Sequence, residues 1–437
     1  MGPRACLLPL RDRRQCEFNA QVRRSVSLAV FSGLFFVVAF AVSTGTLFLR
    51  ARLNSHSGSH SAELARSFLQ LSHQSAAEVE RAAALLRAQQ TLSQAHVASK
   101  ASERKLLVVH AYHGLSNRLR AVASAAALAE VSDRQLVVVW EPDVHVSARL
   151  HELFDVPKRL FVLDAFEEAL LGGADTDAGN TVERGHNNAV GEWLRYNYMV
   201  EGGKNERLED QVPKHIYVRS AFTLVSRTLV RWQAIDAALR DLRPIKEVRD
   251  AVARYEADFG AVAGDLVGVH VRMEANQSRD VPGIRSLGIH HAAGLAAMGD
   301  ASMWRVRCHY RAFIPKLQSY VARHPSTRFL VATDSPEAIA AISDALGAER
   351  VLHTDMHEHV RCAGAEGRLL ACQRFALTEL HLLSKCRHLY VSKWSSYSEI
   401  AARLADLNSI TGAVEQGCFT EEEMPDVMAR AVAEAVQ

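Results

Sequence analysis

The chain lacks any real excess of charge: 51 basic against 49 acidic side chains leave +2 over 437 residues. No stretch interleaves Lys or Arg with aromatics, so nothing in the chain would grip a nucleic-acid backbone, and nucleic acid is excluded as a partner. Its seven cysteines include no Cys-x-x-Cys pair, which removes the usual sign of structural zinc or dithiol redox chemistry. A single Asn-x-Ser/Thr acceptor occurs, at Asn276-Gln277-Ser278. The apolar share is 48% and the charged share 23%, so the chain is globular and long enough for two domains with sizeable cores.

Against that background one hydrophobic run stands out. Residues 26–49 carry no charge, and at 1.5 Å per residue they reach about 36 Å, enough to span a bilayer. Arg4, Arg11, Arg13, Arg14, Arg23 and Arg24 precede the run, whereas Arg50 and Arg52 follow it, which predicts a cytosolic tail over residues 1–25 and a luminal remainder. The run exceeds the ~7–15-residue core of a cleaved signal peptide, and no A-x-A site closes it, so it reads as an uncleaved signal anchor. Cys6 and Cys16 then lie on the cytosolic side. Cys308, Cys362, Cys372, Cys386 and Cys418 lie in an oxidising lumen, which predicts two disulfides and one free thiol with the connectivity open.

Residues 50–104 are rich in Ser, His, Ala, Gln and Glu and have almost no strand formers, the texture of a stem. Leu64, Phe68, Leu71, Ala82, Leu85 and Leu92 fall on heptad positions, but Ser75, Glu78 and Gln89 occupy others. A solvated spacer helix therefore competes with a coiled coil that would form a homodimer through the stem.

From Lys105 the pattern becomes α/β. Strands are predicted over residues 106–110, 136–140, 161–163, 216–218, 266–271, 329–332, 350–353 and 389–391, and helices over 117–131, 303–321, 336–346, 374–385 and 397–404. Residues 171–188 read as a Gly, Asp and Asn-rich loop, and a helical stretch holds Arg243-Pro244. Two Rossmann-like halves emerge, 105–243 and 244–437, with a ligand cleft expected between them.

Charge collects where strands end. Val267-Gly268-Val269-His270-Val271-Arg272 is a buried-looking strand that delivers a histidine and an arginine to its carboxyl end, followed by Met273 and Glu274. Arg there suits phosphate, because its planar fork makes bidentate charge-assisted hydrogen bonds. The competing reading is a strand whose last charges simply enter solvent. Gly114-Leu115-Ser116-Asn117-Arg118 lies between the first strand and its helix, where Ser116 can cap and free N–H groups attract anions, or where a capped turn leaves Arg118 solvated. Thr333-Asp334-Ser335-Pro336 and Trp394-Ser395-Ser396-Tyr397 repeat the strand-to-helix pattern. Asp175-Thr176-Asp177 has no preceding strand and reads as a surface loop; His353, His357 and His359 show no helical i, i+4 metal geometry.

Together these segments resemble the fucosyltransferase superfamily of α1,6-fucosyltransferases, nodulation fucosyltransferases and protein O-fucosyltransferases. The strand 267–272 is similar to the donor-binding strand of the α1,6 enzymes, and Gly114-Leu115-Ser116-Asn117-Arg118-Leu119 to their first βαβ unit. Leu377-Thr378-Glu379-Leu380-His381-Leu382-Leu383-Ser384 is similar to the helix whose acidic residue reads guanine, and Ser395-Ser396 match a serine pair. The resemblance covers most of residues 105–404, weakly over 144–243.

It implies a GT-B-like fold and a metal-independent inverting transfer of fucose from GDP-fucose to a glycan or glycoprotein hydroxyl, in a type II protein of the Golgi or endoplasmic reticulum. No cofactor beyond the donor substrate is implied. The donor would be held by Gly114, Asn117, Arg118, His270, Arg272, Asp334, Glu379, Ser395 and Ser396, with Arg272 taking the diphosphate and Glu379 the guanine. The chain departs from the α1,6 pattern where that pattern continues with a second Arg and Thr-Asp, so the base falls to Glu274 or Asp280. A glycan beside such a site would interfere, so Asn276 is expected unmodified. Another nucleotide sugar, or a catalytically silent luminal glycan-binding protein, are the alternatives. Acceptor contacts are expected from 144–243 and 279–307, which carry Trp193, Tyr196, Tyr198, His290, His291 and Trp304.

Overall fold

A computed structural model describes residues 60–157, 160–167, 182–187, 191–229, 231–260, 266–273, 304–305, 307–362, 368–405, 413–420 and 422–423. The apolar run at 26–49, the loop carrying Asp175 and Asp177, and Glu274, Asn276, Asp280, His290 and His291 lie outside them. Among the described residues no helix is long and apolar enough to cross a membrane. The chain divides into two compact units, residues 1–79 and 80–437.

Helix α1 (His60–Ala101) covers most of the predicted stem. From Glu80 onward it belongs to the second unit, and it is not a solvated spacer there. Ala88, Leu92, Ala95 and Ser99 are buried at helical spacing. The first three pack with Leu106, Val108, Val137, Val139 and Trp193. Leu92 is therefore spent within the chain and is not free for a dimer seam.

The first sheet is built from β1 (Lys105–Ala111), β2 (Arg134–Val139), β3 (Phe161–Leu163), β4 (Val182–Asn187), β5 (Gly191–Asn197) and β6 (His215–Ser220). Its order is β3-β2-β1-β6-β5-β4, parallel except for the β4/β5 edge pair. Strand alternation sends Leu106 and Val108 toward α1, and Leu107 and Val109 toward α2 (Leu115–Val131) on the other face. Helix α3 (Trp232–Arg240) packs beside α2. The expected helical stretch around Arg243-Pro244 is interrupted there: α3 stops, and α4 (Lys246–Asp258) begins afterwards, because the residue before a proline is driven out of the helical region.

The second sheet contains β7 (Val267–Val271), β8 (Phe329–Thr333), β9 (Val351–Leu352), β10 (His388–Val391) and β11 (Val414–Gln416), ordered β11-β10-β7-β8-β9 and parallel throughout. Helices α5 (Tyr310–Arg323) and α6 (Pro336–Leu346) cover the face formed by Val267, Val269, Val271 and Val331. Helix α7 (Met356–Cys362) leads to α8 (Leu370–Leu383), which lies with α9 (Ser396–Leu404) on the other face. That face shares one buried cluster with α2 and α3, so a single core joins both sheets. Both expected disulfides are present, Cys308–Cys418 and Cys362–Cys372, and Cys386 is the buried free thiol.

Gly268 is set by packing. A Cβ there would lie 2.5 Å from Leu389 Cδ2, 3.0 Å from Leu383 Cδ2 and 3.2 Å from Cys386 Sγ. Gly268→Ala is expected to destabilise the fold by about 1–3 kcal/mol, the usual cost of overpacking a filled core, read from urea unfolding.

Candidate active site

The carboxyl ends of β1, β7, β8 and β10 and the segments that follow them enclose a cavity of about 820 Å³. Parallel strands direct their carboxyl ends to one edge of a sheet, where helix N-termini leave N–H groups without partners. Gly114, Leu115, Ser116 and Asn117 line the cavity at the start of α2, and Ser395, Ser396 and Tyr397 at the start of α9. Neither helix has a side-chain cap: the residues before them are Gly114 and Ser395, and the first intrahelical bonds come from Arg118 N–H to Gly114 O and Glu399 N–H to Ser395 O. Ser116 is thus inside the helix and not its cap. The residues that lead into these turns, His113 and Trp394, hold left-handed backbones with φ of 64° and 55°. That conformation costs about 1–3 kcal/mol in a non-glycine residue and clusters where geometry is functional.

Arg272 leaves the end of β7 with its backbone N–H donating to Ser392 Oγ at 2.9 Å and its Nη1 2.6 Å from Asp334 Oδ2. The other oxygen of Asp334 accepts the Met273 N–H at 2.8 Å. Asp334 therefore positions the guanidinium and ties the end of β7 to the end of β8. Arg305, which carries no motif, stands on the same cavity wall. Burial and then Arg272, partly offset by Asp334, lower its guanidinium to about 10, so it stays charged at neutral pH.

His270 is buried, with Nδ1 2.7 Å from the Ser398 hydroxyl and its ring stacked on Tyr397 at 4.7 Å. Burial pushes it down to about 3 despite Asp334, so it presents a neutral imidazole. Deeper on α8, Glu379 Oε1 accepts from the Thr354 hydroxyl at 2.6 Å and lies 3.2 Å from His359 Nε2. Burial opposes charge on His359, but the neighbouring Glu379 outweighs it and raises the imidazole. On the opposite wall, His113 meets His145 edge-on at 5.4 Å, and burial, then His145, lowers His113.

The structure brings Gly114, Asn117, His270, Arg272, Asp334, Glu379, Ser395 and Ser396 to this one cavity. Arg118 is the exception among the predicted donor ligands. It is buried, donating to His113 O at 2.9 Å and Glu141 O at 2.6 Å, pairing with Asp143 at 2.8 Å, and lying over Trp140. Two residues along, Arg120 lines the cavity instead, 3.1 Å from Glu399 and 2.7 Å from Asn117 Oδ1. Trp193, Tyr196, Tyr198 and Trp304 are core residues and not sugar platforms; the exposed aromatic at the cavity is Trp394. The predicted bases Glu274 and Asp280 fall outside the described residues.

No family model and no curated protein matches the chain. Among solved structures it is similar to the fucosyltransferase NodZ from Bradyrhizobium, at 12% identity over 68% of this chain and 92% of that one, with a TM-score of 0.40. FUT1 of Arabidopsis thaliana, as a mutant in complex with GDP, aligns at 14% identity over 73% of each chain with a TM-score of 0.46. POFUT1 in complex with GDP aligns at 14% identity over 70% of this chain and 95% of that one, with a TM-score of 0.41.

Because Glu379 raises the folded-state pKa of His359, the pair contributes stability that is full below the ordinary histidine value of 6.5 and fades as pH rises through the raised value. His359→Gln is expected to lose about 1–2 kcal/mol more relative to the native chain below that value than well above it, measured by urea unfolding across pH.

Proposed function

We propose that the protein is a GT-B-like glycosyltransferase that moves fucose from GDP-fucose to a glycan or glycoprotein hydroxyl with inversion. The observation that carries this reading is the meeting, in one cavity, of Arg272 at a strand end with the uncapped starts of α2 and α9. A diphosphate leaving group needs fixed positive charge and N–H donors in a sheltered site, and these groups supply them without reorganisation. The sequence resemblance at residues 267–272, 377–384 and 395–396 supports fucose as the sugar and guanine as the base, with Glu379 as its acceptor of N–H bonds.

In the proposed step the acceptor oxygen attacks the anomeric carbon from the face opposite the diphosphate. The new C–O bond forms as the sugar–phosphate C–O bond breaks, and its electron pair stays on the diphosphate beside Arg272. The hydroxyl proton passes to a carboxylate, Glu274 or Asp280. Asn276, inside the same stretch, stays free of glycan in this reading. The anchor at residues 26–49 and the basic tail before it support a type II protein with this region luminal, in the Golgi or endoplasmic reticulum.

Titration calorimetry of the full chain in detergent, with GDP, UDP and free glycans, tests the reading: GDP alone among the nucleotides should bind. UDP binding would point to another nucleotide sugar, and glycan binding alone to a silent lectin. Arg272→Ala should weaken GDP binding about 30-fold or more, the cost of removing a buried charge partner, and abolish transfer. Full activity in that variant would sink the assignment.

A further inference from the structure

The strand-end pattern leaves Arg272 without an adjacent second arginine, and the next side chain, Met273, is buried in the core beneath α5 and α6. One guanidinium already paired with Asp334 is nearly neutralised, which is a poor match for a diphosphate that carries two or more negative charges. From the opposite end of the intervening segment, Arg305 enters the same cavity wall.

Its placement is built from rigid parts. Trp304 is buried in the core of the second sheet, flanked by Arg307 and Lys393, each 4.3 Å from its ring. The Cys308 N–H closes a turn onto Trp304 O at 2.9 Å, and Cys308 is bonded to Cys418. Arg305 Nη2 donates to Trp394 O at 3.3 Å, the carbonyl of the left-handed residue that leads into α9. Its Nη1 is buried with no hydrogen-bond partner among the described residues.

Resting on the nucleotide-sugar reading above, we infer that Arg305 is the second cation of the diphosphate grip, replacing from a distant segment the charge that Met273 does not provide. A buried, unpaired guanidinium nitrogen is costly to maintain without an anion. Arg272 acts on the same guanidinium as a like charge from the same cavity wall, so an anion shared by the two arginines is favoured. A diphosphate relieves both costs: it accepts the Nη1 donor and offsets the cation pair beyond what Asp334 neutralises. A monophosphate has only one phosphoryl group to share between the two guanidinium groups, so the arrangement selects nucleoside diphosphates over monophosphates. Arg305 also holds the Trp394 carbonyl, so it links the phosphate grip to the start of α9.

The test is the ratio of GDP to GMP affinity, measured by calorimetry on the full chain in detergent. Arg305→Ala should lower GDP affinity about 30-fold or more while changing GMP affinity about threefold or less, and Arg305→Lys should recover part of the difference. Arg305→Gln, which keeps part of the aliphatic stem and an N–H donor but removes the charge, carries the same test if the alanine variant does not fold. An unchanged GDP to GMP ratio in a folded variant overturns the inference. If the native chain binds UDP in place of GDP and the UDP to UMP ratio falls in Arg305→Ala, the grip stands and the fucose reading fails. Binding of no nucleoside diphosphate by the native chain overturns both.

Discussion

The site depends on one carboxylate. Asp334 uses its two oxygens on two different jobs, accepting the Met273 N–H at the end of β7 and holding the Arg272 guanidinium at 2.6 Å. The first contact fixes where β7 ends relative to β8; the second fixes where its terminal charge points. The half-buried Arg272 side chain is held in place by this counter-charge. Without Asp334, Arg272 would lose its 2.6 Å counter-charge and β7 a side-chain tether at its carboxyl end.

Around this pair, the cavity gains positive character from helix starts as well as from its arginines. Two helices open onto it uncapped, and His113 and Trp394, which lead into their first turns, carry backbones that most side chains avoid. Evolution ordinarily satisfies such ends with Ser, Thr, Asp or Asn side chains, because a cap contributes about 1 kcal/mol. Here the N–H groups are left for something else, which is the arrangement an anion requires. The neutral His270, locked between Ser398 and Tyr397, adds polarity without another charge.

Much of this was legible in the sequence, for physical reasons that differ by residue. Continuous apolar runs such as 106–109 and 266–269 mark strands buried on both faces, and the polar residues just beyond them mark the crevice edge. The antiparallel edge pair β4/β5 was not legible. Residues 171–188 are rich in Gly, Asp and Asn, so β4 read as loop, and its strand exists because β5 offers it a ladder. The choice between Arg118 and Arg120 was also invisible: two residues apart on a helix they point about 200° apart, and sequence alone does not say which side faces the cavity. Arg118 faces inward to Asp143 and Trp140, Arg120 outward to Glu399. Arg305 had no local signal, since its role comes from a fold contact with Trp394 rather than from spacing. The aromatics Trp193, Tyr196 and Tyr198 were the opposite case, suited by type to sugar but placed by alternation in the core.

The last helix carries a separate consequence. Although α9 follows the final inner strand of the second sheet, it packs on α2 and α3 of the first, with Glu399 on Arg120 and Arg403 near Asp236. Its shared apolar cluster belongs to both sheets. The boundary near residue 243 is therefore a topological seam and not a mechanical one. A polypeptide severed there would leave the first fragment with an exposed apolar groove and the second with a stranded helix, so each half completes the other's core.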